Sequence, residues 1–495
     1  MNQTNQQLNK GVLLFVLLLG SFLSILNQTI LNVVLPDLMT EFKVSATTIQ
    51  WLSTGFMLVN GILIPATAFL MQRFSTRQLF LSSMILLLVG TLINAVAPNF
   101  ALLLTGRLIQ AAGAGIIMPL LMSVTLVIFP EENRGTAMGL IGLVMIFAPA
   151  IGPTLAGVII EHFSWRWLFI GMAPLVAIVI GLSYKFLVNV SETSRPKLDF
   201  ISIILSTAGF GALLYGFSSA GDKGWGSSVV LTYLISGAIL LIIFCWRQLT
   251  LNNPLLNLRV FTNKMFTMTA IVNILVTMIM YADMILLPIY LQTSRGYTVL
   301  DTGLLLLPGA LINAFMSPVS GRLFDKVGAK PLAFIGLIFI ISSMWGVTNL
   351  TETTSFTYLM IRTIILRIGI SFMTMPITTA GLNALPKQLN THGTAITNTV
   401  RQVAGSIGIA VVVTIMTTRT KSHATMLLDS GSIHSKAQLI LDSSILGMND
   451  AYMFVAILGI LAFFATFFIP NKKKAVKEEK NIVQRQHGTN PTEGQ

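Results

Sequence analysis

From residue 11 onward the chain alternates between apolar stretches of roughly 18–28 residues and short polar or charged punctuation. At about 1.5 Å per residue, such a stretch matches a hydrocarbon core about 30 Å thick, so each reads as one bilayer-crossing helix. Cutting at charges and at Pro/Gly positions predicts fourteen: 11–35, 46–71, 79–97, 102–128, 137–160, 166–188, 200–219, 229–246, 266–291, 303–320, 331–349, 356–382, 400–418 and 451–470. The one long polar break between late spans, 419–450, holds amphipathic pieces such as AQLILDSSIL and reads as a loop.

Composition sharpens this picture. Of 495 residues, 54% are hydrophobic and 10% charged, against about 45–50% and about 25% in soluble domains. Too few charges are present to cover a soluble surface, so the bilayer is the expected partner. About twenty Lys and Arg fall in the two tails and in loops on the N-terminal side, about seven in the opposite loops. By the positive-inside rule both termini are expected in the cytoplasm of a multi-pass cell-membrane protein, bacterial in style. The N-terminal polar stretch MNQTNQQLNK carries no small-residue cleavage site and leads into a retained span. The tail 471–495 is charged and apolar-poor and reads as disordered, with Lys472, Lys473 and Lys474 at the lipid surface. The net charge of +13 is scattered over loops and tail, which fits topology and not nucleic-acid binding. The single Cys245 excludes a disulfide framework, and neither a nucleotide-binding loop nor an HExxH metal motif is present. No cofactor or metal is expected. No nucleophile, base and orienting residue form a set, so enzymatic chemistry is not expected, and an ion gradient is the energy source left.

An internal repeat organises the spans. AFLMQRFSTRQLF, with Ala68, Leu70, Arg73 and Arg77, recurs as GRLFDKVGAKPLAF, with Gly321, Leu323, Asp325, Lys326, Gly328 and Lys330, at an offset of 253. Pro119, Pro130, Gly135 and Ala137 recur as Pro376, Pro386, Gly393 and Ala395 at offsets of 256 to 258. Six spans need about 180–205 residues, so an offset near 255 leaves room for an inserted pair. The predicted architecture is all-α: an N-terminal tail (1–10), a six-helix bundle (11–188), an inserted hairpin with linkers (189–265), a second six-helix bundle (266–470) and the tail. Repeats of this kind are typical of alternating-access transporters.

These residues resemble the major facilitator superfamily, and within it the fourteen-span drug:proton antiporter family, from LNQTILNVVLP at 26–36 to RQVAGSIGIA at 401–410. The superfamily's loop signature is kept at Gly321–Lys330 and degraded at Ala68–Arg77, where Gln72 stands for the usual acid and Ser75 for the usual glycine. GRLIQAAGAG at 106–115 is similar to the arginine signature of span four, and APAIGPTLAG at 148–157 to the signature of antiporters; SWRW at 164–167 also fits. The resemblance implies proton-driven export of lipophilic or cationic drugs or antibiotics. It implies a cytoplasmic gate at Arg73, Arg77, Gly321, Asp325, Lys326, Gly328 and Lys330, and a leak-blocking seal between bundles at Ala148, Pro149, Gly152, Pro153 and Gly157. From the residues alone, Ala148, Gly152 and Ala156 leave one helix face bare, which serves tight packing equally well.

Charges inside a membrane are costly and mark function. Of eighteen acids only Asp283 lies well inside an apolar span, about 12 Å from its outer end. Asn27 lies at similar depth, within about three residues of Asp283's repeat counterpart, where the family usually has aspartate. Arg107 and Arg362 enter from outside to about 8–9 Å. These four are the candidate coupling residues; a fixed Asp283–Arg362 ion pair is the structural alternative. Arg367 and Arg401 are weaker candidates, with Arg401 at the cytoplasmic end of span thirteen. Gln28, Asn32, Gln110, Tyr281 and Tyr290 are candidate cavity residues, and Met and Phe in spans nine to twelve suit an adaptable apolar cavity. All five histidines fall in loops or at span edges, so a histidine relay is set aside. The expected coupling ion is the proton, with sodium exchange, export of one metabolite, or a non-transporting sensor or channel as alternatives. The chain is expected to work as a monomer.

Overall fold

A computed structural model describes residues 10–31, 34–44, 46–49, 51–190, 199–251, 254–429 and 435–470. Fourteen long helices fill them: α1 (Lys10–Ile30), α2 (Trp51–Arg73), α3 (Thr76–Ala95), α4 (Phe100–Ile128), α5 (Arg134–His162), α6 (Arg166–Phe186) and α7 (Phe200–Lys223). They continue with α8 (Ser228–Thr250), α9 (Lys264–Ile289), α10 (Val299–Val327), α11 (Ala329–Trp345), α12 (Phe356–Asn383), α13 (Asn390–Asp429) and α14 (Lys436–Phe467). Twelve are long and apolar enough to cross a membrane unaided; α2, bent by 56° between Leu63 and Ala66, is a thirteenth, and α11 is a shorter apolar helix. The bend falls at Pro65, which lacks the backbone donor that would continue the ladder.

Polar side chains start these helices where the hydrophobic pattern begins. Ser75 and Gln78 form a reciprocal capping box on α3, and Thr298 and Asp301 form another on α10. Asn99, Asp199, Asn263 and Ser355 cap α4, α7, α9 and α12. Glycines set the closest crossings. A Cβ on Gly113 of α4 would strike the Ser83 carbonyl of α3, and at the repeat-related place Gly336 of α11 and Gly369 of α12 face each other's carbonyls.

Helices α1–α6 and α9–α14 pack as two bundles; the apolar core of the first continues across the seam to Phe266, Met375, Leu382, Ala395 and Ile396, and the second bundle has a further core of its own. They meet along two seams that the repeat relates to each other, α5 against α10 and α2 against α13. The inserted pair α7–α8 lies against the second seam, with α7 touching both α2 and α13. Leu214 of α7 and Gln402 of α13 both approach Gly61 of α2, Trp51 stacks on Tyr215 at 5.9 Å, and Trp225 donates to Thr414.

Two predicted features change. The stretch 419–450 is largely helical: α13 runs on to Asp429, α14 starts at Lys436, and Asp450 joins them by accepting from Arg419 and His423. A hydropathy window ends a helix where apolar residues end, whereas the backbone ladder continues through polar residues. For the same reason α13 begins at Asn390, which puts Arg401 inside the helix and not at its end. The tail with Lys472–Lys474 and the position of Asn32 lie outside the described residues.

Candidate functional site

Each bundle holds a buried arginine near its middle. In the C-terminal bundle, Asp283 of α9 faces Arg362 of α12 at 2.6 Å and Arg367 at 4.0 Å, with side-chain exposures of 1% for Asp283 and 3% for Arg362. Ser343 of α11 donates to the Arg362 carbonyl at 2.9 Å, and the guanidinium lies over the Tyr452 ring at 5.4 Å. In the N-terminal bundle, Arg107 of α4 donates to Asn27 Oδ1 at 2.8 Å, to the Asn27 carbonyl at 3.1 Å and to Gln110 Oε1 at 3.0 Å. Gln110 in turn donates to Thr91 at 2.8 Å and accepts from Asn94 at 3.1 Å; Phe56 covers the guanidinium at 4.4 Å. Asp283 is the one buried carboxylate among the described residues.

The bundles touch most intimately at the face where α10 and α14 end. Asp325 accepts from the Gly135 and Thr136 amides, each at 2.8 Å, and from the Thr136 hydroxyl at 2.7 Å. A carboxylate of one bundle thus caps the first turn of a helix in the other, where free amides and the helix dipole favour negative charge. Beside it Gly321 and Gly135 meet backbone to backbone, and Gly139 and Gly142 pack on Ser317 and Pro318. Arg134 adds a bond to Asn383 of α12 at 2.8 Å. On the second seam Gln72 of α2 lies 3.0 Å from His392 Nε2 in the first turn of α13, while His392 Nδ1 accepts from the Asn257 amide at 3.2 Å. Contacts of this kind hold the two bundles together at this face.

A family model described as Major Facilitator Superfamily matches residues 17–409. The chain belongs to the major facilitator superfamily. It is 46% identical over 94% of its length to the MFS-type transporter YhcA of Bacillus subtilis (strain 168), covering 94% of that protein. It is 42% identical to the lincomycin resistance protein LmrB of the same organism, over 95% of this chain and 98% of that one. To the multidrug export protein EmrB of Escherichia coli (strain K12) it is 29% identical, over 85% and 82%. Among solved structures, the human organic anion transporter MFSD10 shares the fold with a TM-score of 0.65 at 14% identity, over 93% of this chain and 100% of that one. The proton:xylose symporter XylE follows at 0.60 and 14%, over 93% and 96%.

As a superfamily transporter, the chain places its predicted residues unevenly. Asp283 and Arg362 come together, and so do Asn27, Arg107 and Gln110. Tyr281 lies against Gly405 of α13, and Gln28 is half-buried on α1. Tyr290 is fully buried in the C-terminal bundle, its hydroxyl donating to the Thr351 carbonyl at 2.6 Å, so it anchors the end of α9. Gln110 likewise spends its amide inside the N-terminal bundle. Of the gate residues, Gly321 and Asp325 join the bundles. Gly328, at φ 82°, turns the chain between α10 and α11, and Lys330 caps the end of α14 through the Phe467 and Ile469 carbonyls at 3.0 and 3.2 Å. Arg77 ties α3 to α6 through Tyr184 and Asn189, and Arg73 and Lys326 are exposed.

The stretch 148–157 packs differently from the predicted seal. A Cβ on Gly152 would strike Thr29 of α1, within the same bundle, and Gly157 has open space around it. Ala148 and Ala156 are fully buried, and Pro149 is half-buried. The helix approaches the other bundle about two to four turns before Ala148, through Gly135, Gly139 and Gly142. Their spacing of four and three was visible in the sequence, but small residues show only that a neighbour comes close, not which neighbour. His392 was also passed over, because hydropathy placed it in a loop.

Two charged clusters outside the spans keep their acids ionised. Asp199 binds Arg247 at 2.9 and 3.0 Å, and this bond, with those from Ser202, outweighs burial and lowers its pKa to about 2. Burial raises the Glu41 pKa, but bonds from Trp165 at 2.5 Å and Arg166 at 2.8 Å outweigh it and leave the carboxyl below its usual range.

Proposed function

We propose that this transporter exports lipophilic, cationic or amphiphilic compounds, antibiotics among them, in exchange for protons by alternating access, with Asp283 as the coupling carboxylate. The carrying observation is the position of Asp283: a sole buried carboxylate, among the described residues, between two arginines deep in a bundle. A proton or a cationic group on the compound competes for the same oxygens, and mutual exclusion at one carboxylate yields exchange. A one-unit pH difference supplies about 1.4 kcal/mol per proton, and 100 mV adds about 2.3 kcal/mol for each charge moved. Relatives named for lincomycin resistance and multidrug export support the compound class. The Lys/Arg bias favours a cytoplasmic position for the Asp325 face, so we read this conformation as closed inward.

The test is compound-induced proton movement in proteoliposomes, wild type beside Asp283→Asn. Wild type should move protons on addition of lipophilic cations, and the folded variant should bind them more weakly and move none. Proton movement retained by the variant would instead make Asp283 half of a structural ion pair.

A further inference from the structure

The two arginine sites are built alike but neutralised differently. Arg362 has a carboxylate at 2.6 Å; Arg107, fully buried, has no carboxylate within 4.0 Å among the described residues. Its one satisfied nitrogen, Nη1, donates to neutral oxygens only. Its Nε and Nη2 and the amide Nδ2 of Asn27 are all buried without an acceptor. Three donors enclosed around a guanidinium that does not give up its proton form an acceptor-poor, positive site. A buried charge left with dipoles alone is costly, and so is each unmet donor. A group with negative charge and several lone pairs would supply the acceptors that these donors lack.

We propose that Arg107 and Asn27 form a binding site for one small anionic group, either a free halide or the carboxylate of a transported compound. That group takes the role in the N-terminal bundle that the Asp283 side chain plays in the other. The sequence supports the reading: Asn27 stands 256 positions before Asp283, so the donors of Asn27 occupy the place where the other copy carries an acceptor. Ligand charge replaces side-chain charge, and Asn27→Asp should make the ligand redundant. The proposal concerns binding and stands whether or not export is coupled to protons.

The experiment measures the thermal unfolding midpoint of the purified full chain in sodium bromide against sodium gluconate at equal ionic strength. It adds a carboxylate-bearing antibiotic against its methyl ester. Saturating anion should raise the wild-type midpoint by about 2 °C or more. A shift with bromide alone identifies a free ion; a shift with the carboxylate compound but not its ester, and none with bromide, identifies a transported carboxylate. Asn27→Asp and Arg107→Gln should each lose the shift. Because either variant can fold poorly, bromide or a brominated carboxylate compound is also located in wild-type crystals by its anomalous scattering, expected beside Arg107. No shift with either anion, an undiminished shift in a folded Asn27→Asp, or an anion found only elsewhere would overturn the proposal.

Discussion

At the closed face α10 gives α5 a carboxylate, whereas at the repeat-related place α2 gives α13 an amide. Deeper in the bundles the same contrast recurs, with Asp283 in the second copy and Asn27 in the first. The pairs are separated by 253 and 256 positions, so gene-scale repetition has preserved the geometry of both sites while only the second copy holds acid. Position and charge are thus separable. Helix crossings depend on small residues and apolar cores that both copies keep, and charge is decided by single side chains that either copy can lose.

The contrast is broken most strongly at Asp283. Replacing it with Asn leaves Arg362 and Arg367 without their anion, at an expected cost of about 3–5 kcal/mol, measurable as a lower unfolding midpoint beside the loss of proton movement. Asp325→Asn comes next. It removes the charge from a cap with three donors, costs the closed face about 2–3 kcal/mol, and should lengthen spin-label distances between the ends of α5 and α10. Gly321→Ala tests the same seam by shape: its Cβ would lie 2.8 Å from the Gly135 carbonyl carbon, at about 1–3 kcal/mol. Gly157→Ala, with open space around it, should fall within about 0.5 kcal/mol of wild type in the same assay. Gln72→Ala on the amide seam should open that seam by only about 0.5–1.5 kcal/mol, and a larger effect than that of Asp325→Asn would reverse the ranking of the seams.

An effect that depends on pH is expected at Asp199, in the hairpin that belongs to neither copy. Its folded pKa is depressed to about 2, so its contribution is complete above the unfolded value near 3.8 and is lost as pH falls toward 2. Acid unfolding of Asp199→Asn should therefore differ from wild type above pH 4 and converge with it near pH 2.

Spans and repeat were legible because both are written in windows of many residues. Asp283 was legible because a lone acid in an apolar span is too costly to sit there without a partner or a charge-dependent role. The ends of α13 and α14 were not, since polar residues such as Arg419 and Asp450 support helix without apolar character. The neighbours of 148–157 were not legible because 148–157 and 135–142 are equally rich in small residues, and only tertiary packing distinguishes a neighbour in the same bundle from one across the seam. His392 shows the same limit: its two partners lie 320 and 135 positions away.

The inserted hairpin makes the outer wall of the molecule uneven. Along α2 and α13, acyl chains meet α7, which bridges both halves, so a lipophilic compound diffusing in the plane of the bilayer finds that flank curtained. Among the described residues, the flank at α5 and α10 carries no such cover. Approach to the seams from the plane of the membrane is thereby uneven, on a fold whose symmetry would otherwise make the two flanks alike.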